Sequence, residues 1–156
     1  MEREKAKNIL IFADGTGNEG GIMPDESGAD AYKLFRATRT GPESPIDPSK
    51  QICFYINGIG TPQPGKQLEM SDHLNQVFGG GLTKKIIDGY SAIASACQPG
   101  DRIYLFGFSR GAYTSRCIAH VVELFGIPRC SPGGSKKLDQ SPTSIRKICK
   151  EAAHIL

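Results

Sequence analysis

Gly107-Phe108-Ser109-Arg110-Gly111-Ala112 constrains this chain more than any other stretch. It follows the apolar run Ile103-Tyr104-Leu105-Phe106 and opens a segment of helical periodicity that closes at Gly126, with Pro128 beyond. Strand, sharp turn and helix in that order are the setting in which a G-x-S-x-G serine sits on a strained elbow at the end of a sheet. Gly107 and Gly111 lack the Cβ atoms that would collide with the neighbouring strand and helix. The N–H of Arg110 and the positive end of the helix then face any negative charge that builds on an attacked carbonyl oxygen. A serine that merely caps the helix is the alternative reading of the same residues.

Two more strands are expected to lie beside that one. Asn8-Ile9-Leu10-Ile11-Phe12-Ala13 is continuously apolar, as a strand covered on both faces of a parallel sheet must be, and it runs into Asp14-Gly15-Thr16-Gly17-Asn18. Glycine-rich turns at the carboxyl ends of parallel strands lie where α/β proteins place their sites, although glycines that only supply positive φ read the same way locally. Gln51-Ile52-Cys53-Phe54-Tyr55-Ile56 is the third strand, leading into Asn57-Gly58-Ile59-Gly60-Thr61-Pro62. Between strands, Ala31, Leu34, Phe35 and Thr38 have helical spacing, and so do Leu82, Ile86, Tyr90, Ile93 and Cys97 after Gly79-Gly80-Gly81. Residues 62–78 read as a long surface excursion, and Ile145, Ile148, Cys149, Ala152 and Leu156 predict a last amphipathic helix over 143–156. The helix after Ser109 carries Tyr113, Cys117, Val121, Leu124 and Phe125.

Several function classes are disfavoured. The Gly79 turn lacks the Lys-[Ser/Thr] pair of a phosphate-binding loop, which leaves nucleotide binding the weakest reading. Five cysteines, scattered and without a C-x-x-C pair or a histidine at ligand spacing, imply no metal and read as idle thiols. No organic cofactor is implied by any spacing. Net charge is +3, and the basic excess lies in residues 129–156, with 6 Lys+Arg against 2 Asp+Glu. Without interleaved aromatics that patch reads as a solvated face and not a nucleic-acid site. No apolar run is long enough to cross a bilayer, and the charged start Met1-Glu2-Arg3-Glu4-Lys5 does not resemble a signal peptide. Cytoplasmic synthesis follows, with export open only to a route that needs no cleaved signal.

Phe12-Ala13-Asp14-Gly15-Thr16-Gly17-Asn18, the strand ending Tyr55-Ile56-Asn57-Gly58-Ile59-Gly60-Thr61, Gly79 to Leu82 before the helix with Tyr90, and Pro99-Gly100-Asp101 leading to Gly107-Phe108-Ser109-Arg110-Gly111-Ala112-Tyr113 resemble, in that order, an α/β-hydrolase domain family. The family was long catalogued as a domain of unknown function and includes phospholipase effectors of the bacterial type VI secretion system. The resemblance covers residues 8–126 and implies a mostly parallel sheet flanked by helices. It also implies a serine esterase or lipase in which Ser109 attacks the carbonyl of an ester or phospholipid, with membrane contact made through the substrate. Backbone N–H groups of Arg110 and of the Gly15-Thr16 turn would hold the oxyanion, and Asp14 would anchor that turn, through Arg110.

In this fold the triad acid and histidine follow the serine along the chain, and 47 residues follow Ser109. His73 precedes it, and His154 lies beyond the resemblance. His120, eleven residues on, stands roughly 16 Å away along a helix axis. None fits the base, so the expected organisation is an N-terminal part of a hydrolase domain (1–126), a loop (127–140) and a helix (141–156) that is a truncated remainder of the same domain. The alternative is a catalytically inactive remnant or interaction module of that fold, a homo-oligomer or a chain that needs its missing C-terminal half.

Overall fold

The computed structural model describes residues 6–15, 30–58, 80–129, 139 and 141–153. Among these residues three strands, β1 (Asn8–Ala13), β2 (Gln51–Ile56) and β3 (Arg102–Gly107), form a parallel sheet in the order β2-β1-β3. Four helices of the described residues flank it: α1 (Asp30–Thr38), α2 (Gly80–Ala96), α3 (Arg110–Phe125) and α4 (Pro142–Ala153). The sheet is in simple register, Asn8 opposite Gln51 and Arg102, and Ala13 opposite Ile56 and Gly107. All three strands therefore end together, and their carboxyl ends form one edge.

The central strand accounts for the apolar run of its sequence. Ile9, Leu10, Ile11, Phe12 and Ala13 are all buried, because both faces of β1 are covered. Ile9, Ile11 and Ala13 join Ile56, the Ile86, Ile87, Tyr90 and Ile93 stripe of α2, and Ile118 and Val121 of α3 in one core. Ile145, Cys149 and Ala153 extend that core from α4, which packs on α2 and is tied to it by Arg146 and Asp88 at 2.5 Å. Side chains alternate along a strand, so Phe12 faces the other way. There it stacks on Phe106 at 4.9 Å between ring centroids and meets Phe35 of α1 edge-on at 5.9 Å.

Two polar links fix the ends of these elements. The Asp101 carboxylate, before β3, accepts from the Lys7 ammonium at 2.5 Å, the Lys7 N–H at 2.9 Å and the Gln98 N–H at 2.8 Å, joining the starts of β1 and β3. Burial acts to raise the Asp101 carboxyl, but the Lys7 charge and these hydrogen bonds outweigh it and hold the group below its ordinary value. Tyr90 donates to the Gly126 carbonyl at 2.7 Å, where Gly126 ends α3 with φ 66°. Burial, and then the neighbouring Cys149, push the Tyr90 phenol up to about 12.

The face of α3 differs from the one its large apolar residues suggest. Tyr113, Leu124 and Phe125 are exposed and Cys117 is half-buried, whereas Gly111, Thr114, Ser115, Ile118 and Val121 are buried. The helix lies so close to the sheet at its start that only small side chains fit there.

Candidate active site

Ser109 joins β3 to α3 with φ 54° and ψ −124°, and among the described residues it is the one non-glycine at positive φ. Such a conformation costs an L-residue about 1–3 kcal/mol and persists only where its surroundings impose it. The surroundings here are specific. A Cβ on Gly107 would strike the Gly111 carbonyl oxygen and stand 2.5 Å from Ala112 Cα, and one on Gly111 would strike the Ala13 carbonyl oxygen and stand 2.7 Å from that of Asp14. Phe108 N–H donates to Ala13 O at 3.1 Å, Gly111 N–H to Phe108 O at 2.8 Å and Ala112 N–H to Ser109 O at 3.0 Å. The turn is thus pinned to β1 on one side and to the first turn of α3 on the other.

The Ser109 side chain makes no capping hydrogen bond to α3, so the capping reading of this serine does not describe the structure. Ser109 and Arg110 are both exposed. As the first residue of α3, Arg110 has no intrahelical acceptor for its N–H, and no backbone acceptor among the described residues takes it. That donor lies directly after the serine.

Beside the elbow, the end of β1 is organised by Asp14, which is only 3% exposed. Its Oδ1 accepts the Gly15 N–H at 2.8 Å, its Oδ2 accepts the Tyr55 hydroxyl at 2.8 Å, and its own N–H donates to Ile56 O at 2.9 Å. Asp14 therefore grips its own turn through Gly15, with Tyr55 of β2 holding the carboxylate from the far side. Among the described residues at this edge the Gly15 N–H is engaged, whereas that of Arg110 has no backbone acceptor. Thr16, Gly79, His73, His154 and the 62–78 excursion lie outside the described residues.

His120 is exposed on α3, 3.8 Å from Glu123 on the same helix, and is not brought to Ser109 by a separate element. Burial, the largest influence in each case, pushes the thiols of Cys53, Cys97 and Cys149 up, which disfavours the thiolate nucleophile. Among the described residues no group of three or more His, Cys, Asp or Glu is placed to hold a metal ion. No helix among them is long and apolar enough to cross a membrane. Sequence reasoning missed Tyr55. No local signal could have found it, because its place opposite Phe12 follows from the register of β2 against β1.

A parallel sheet flanked by helices, with a serine on a strand-to-helix turn at its carboxyl edge, defines the chain as an α/β protein. More particularly, residues 7–152 match the family described as T6SS, Phospholipase effector Tle1-like, catalytic domain, and the chain belongs to that family. It is also 34% identical over 130 residues to the uncharacterized protein YEL023C of Saccharomyces cerevisiae, an alignment covering 78% of this chain and 18% of that protein. The chain thus spans about a fifth of that relative's length. No solved structure matches it.

Proposed function

We propose that this chain carries the nucleophile of a serine hydrolase acting on carboxylic esters of lipids, phospholipids among them. Ser109 Oγ attacks the ester carbonyl carbon, the bond to the alcohol breaks, and water then releases the acyl group from the serine. The Oγ proton passes to a base supplied from outside the described residues, as is the triad acid. Arg110 N–H and the Gly15-Thr16 turn, anchored by Asp14, receive the oxyanion. Gly107 and Gly111 admit the elbow. The observation that carries this reading is the backbone of Ser109, held at φ 54° with its hydroxyl uncommitted to the helix. The family's description, a phospholipase effector of a type VI secretion system, supports the phospholipid substrate and export by that route. The activity and partners of the whole protein are part of the same proposal.

Labelling with a fluorophosphonate probe, located by mass spectrometry, tests it. Modification confined to Ser109 and abolished in Ser109→Ala is expected. A folded chain that resists the probe would refute a working base within reach. It would favour the second reading, an interaction module, for which a specific feature speaks: Tyr104, Phe106 and Phe108 on and after β3 are 41%, 36% and 48% exposed, and β3 is an edge strand among the described residues. A second copy or further polypeptide would cover them, and a monomer in sedimentation with a cooperative melt would count against that reading.

A further inference from the structure

The chain of contacts that ends at Gly15 begins on Tyr55, a residue of the second stretch that carries the resemblance, to which the resemblance gives no role. Tyr55 lies at the carboxyl end of β2, with its ring held by α1 on two sides: Tyr32 meets it at 5.2 Å and Phe35 at 5.4 Å between centroids. The hydroxyl is therefore delivered from a fixed ring. It donates to Asp14 Oδ2, and the same carboxylate accepts Gly15 N–H through Oδ1, so one planar group joins β2 to the peptide between Asp14 and Gly15. The carbonyl of the same peptide faces the elbow at close quarters, since a Cβ on Gly111, in the first turn of α3, would stand 2.7 Å from the Asp14 oxygen. The 14–15 peptide is thus held at its N–H by the Asp14 carboxylate, which Tyr55 grips, and packs at its C=O against the start of α3.

We infer that Tyr55 is a positioning residue of the Ser109 site: its hydroxyl locks the Asp14 carboxylate, and through it the 14–15 peptide, against the elbow that carries Ser109. The inference rests on the hydrolase reading above and adds to it a residue on a different strand. Tyr55 touches no reacting atom, and it acts through Asp14.

Tyr55→Phe keeps the ring between Tyr32 and Phe35 and removes only the hydroxyl, so the fold is retained. Misplacing a site by a fraction of an ångström to an ångström costs on the order of ten- to a hundredfold in rate. Fluorophosphonate labelling of Ser109 in Tyr55→Phe is therefore expected to slow about tenfold, with a melting temperature close to that of the parent. Asp14→Asn should slow labelling at least as much. The double variant should be no slower than Asp14→Asn alone, because the two residues act in series. A readout independent of reactivity is the exchange rate of the Gly15 amide, expected to rise about tenfold in Tyr55→Phe. Additive effects in the double variant would overturn the inference, and so would parent-like labelling in Tyr55→Phe, whatever the Gly15 amide does. A parent that is not labelled at all would instead bring down the hydrolase reading, and the positioning role with it; the two failures are told apart by the parent alone.

Discussion

Replacing Gly111 by alanine should loosen the junction of elbow and sheet in a way that replacing Gly41 or Gly126 does not. The added methyl would strike the Ala13 carbonyl oxygen and lie 2.5 Å from the Ala13 carbonyl carbon. Carbon atoms rest at about 3.5–4.0 Å. The atoms it meets are backbone of the central, fully buried strand and cannot rotate away, so the cost belongs at the upper end of overpacking, about 3 kcal/mol. Alanine is the better helix former by about 1 kcal/mol, which leaves a net loss of about 2 kcal/mol and a fall in Tm of about 4–8 °C for a chain of this length. Two controls separate crowding from backbone strain. Gly41 has nothing within 4 Å of where a Cβ would stand and no positive φ, so Gly41→Ala should raise stability by about 0.4–1 kcal/mol. Gly126 also faces open space, but its φ of +66° is strained for alanine, and Gly126→Ala should cost about 1–3 kcal/mol without affecting Ser109. Thermal unfolding by circular dichroism ranks the three, and fluorophosphonate labelling assigns the reactivity loss to Gly111→Ala. A Gly111→Ala chain that melts with Gly41→Ala and labels at the parent rate would refute the close approach of α3 to β1.

Asp101 is held below its ordinary pKa in the folded chain, so its contribution is complete above the unfolded value of roughly 4 and disappears as pH falls through the folded value. Asp101→Asn should cost about 1–2 kcal/mol at neutral pH, and the gap between parent and variant Tm should close on titration below pH ~4. Tyr90 is raised to about 12, so its contribution is complete below its unfolded value near 10 and declines as pH rises through the folded value. Ultraviolet titration should show one tyrosine ionising late, and Tyr90→Phe should remove that step and cost about 1 kcal/mol through the Gly126 carbonyl. Ser109→Ala and Ser109→Gly should both abolish labelling, yet the glycine variant should melt higher by an amount matching about 1 kcal/mol, because only it accommodates φ 54° without strain; equal melting temperatures would argue against a strained elbow.

What could be read in the sequence followed from how completely each segment is covered. β1 announced itself because both its faces are buried, and α2 because Ile86, Tyr90 and Ile93 fall on one stripe. The elbow was legible because glycine at 107 and 111 answers a backbone need that no other residue meets. The buried face of α3 was hidden because its small and polar members carry no hydrophobic period. Thr114 is satisfied by the Arg110 carbonyl at 3.2 Å and Ser115 by the Phe106 carbonyl at 3.0 Å, bonds that only the folded geometry reveals. The Tyr55–Asp14 contact was hidden for a different reason. It joins residues 41 apart and depends on the register of β2 against β1, which no local pattern encodes.

The small residues of α3 and the strain at Ser109 have one cause. For a serine to stand at the end of β3 with its hydroxyl free, the chain must reverse within a residue or two, and the helix that follows must start almost on top of the sheet. Large apolar side chains on the first two turns of α3 would hold the helix about 10 Å off, the usual spacing of packed layers, and the reversal would then relax into a longer loop with ordinary φ. Gly111, Thr114 and Ser115 prevent that, Gly111 by letting the helix backbone touch Ala13 and Asp14, and Ser115 by tying the helix to the Phe106 carbonyl on the exposed edge strand. The apolar contacts that α3 gives up there return two turns later, where Ile118 and Val121 are fully buried against the core. The strained turn is thus sustained from both ends, by close backbone packing at its start and by ordinary hydrophobic burial farther along the same helix.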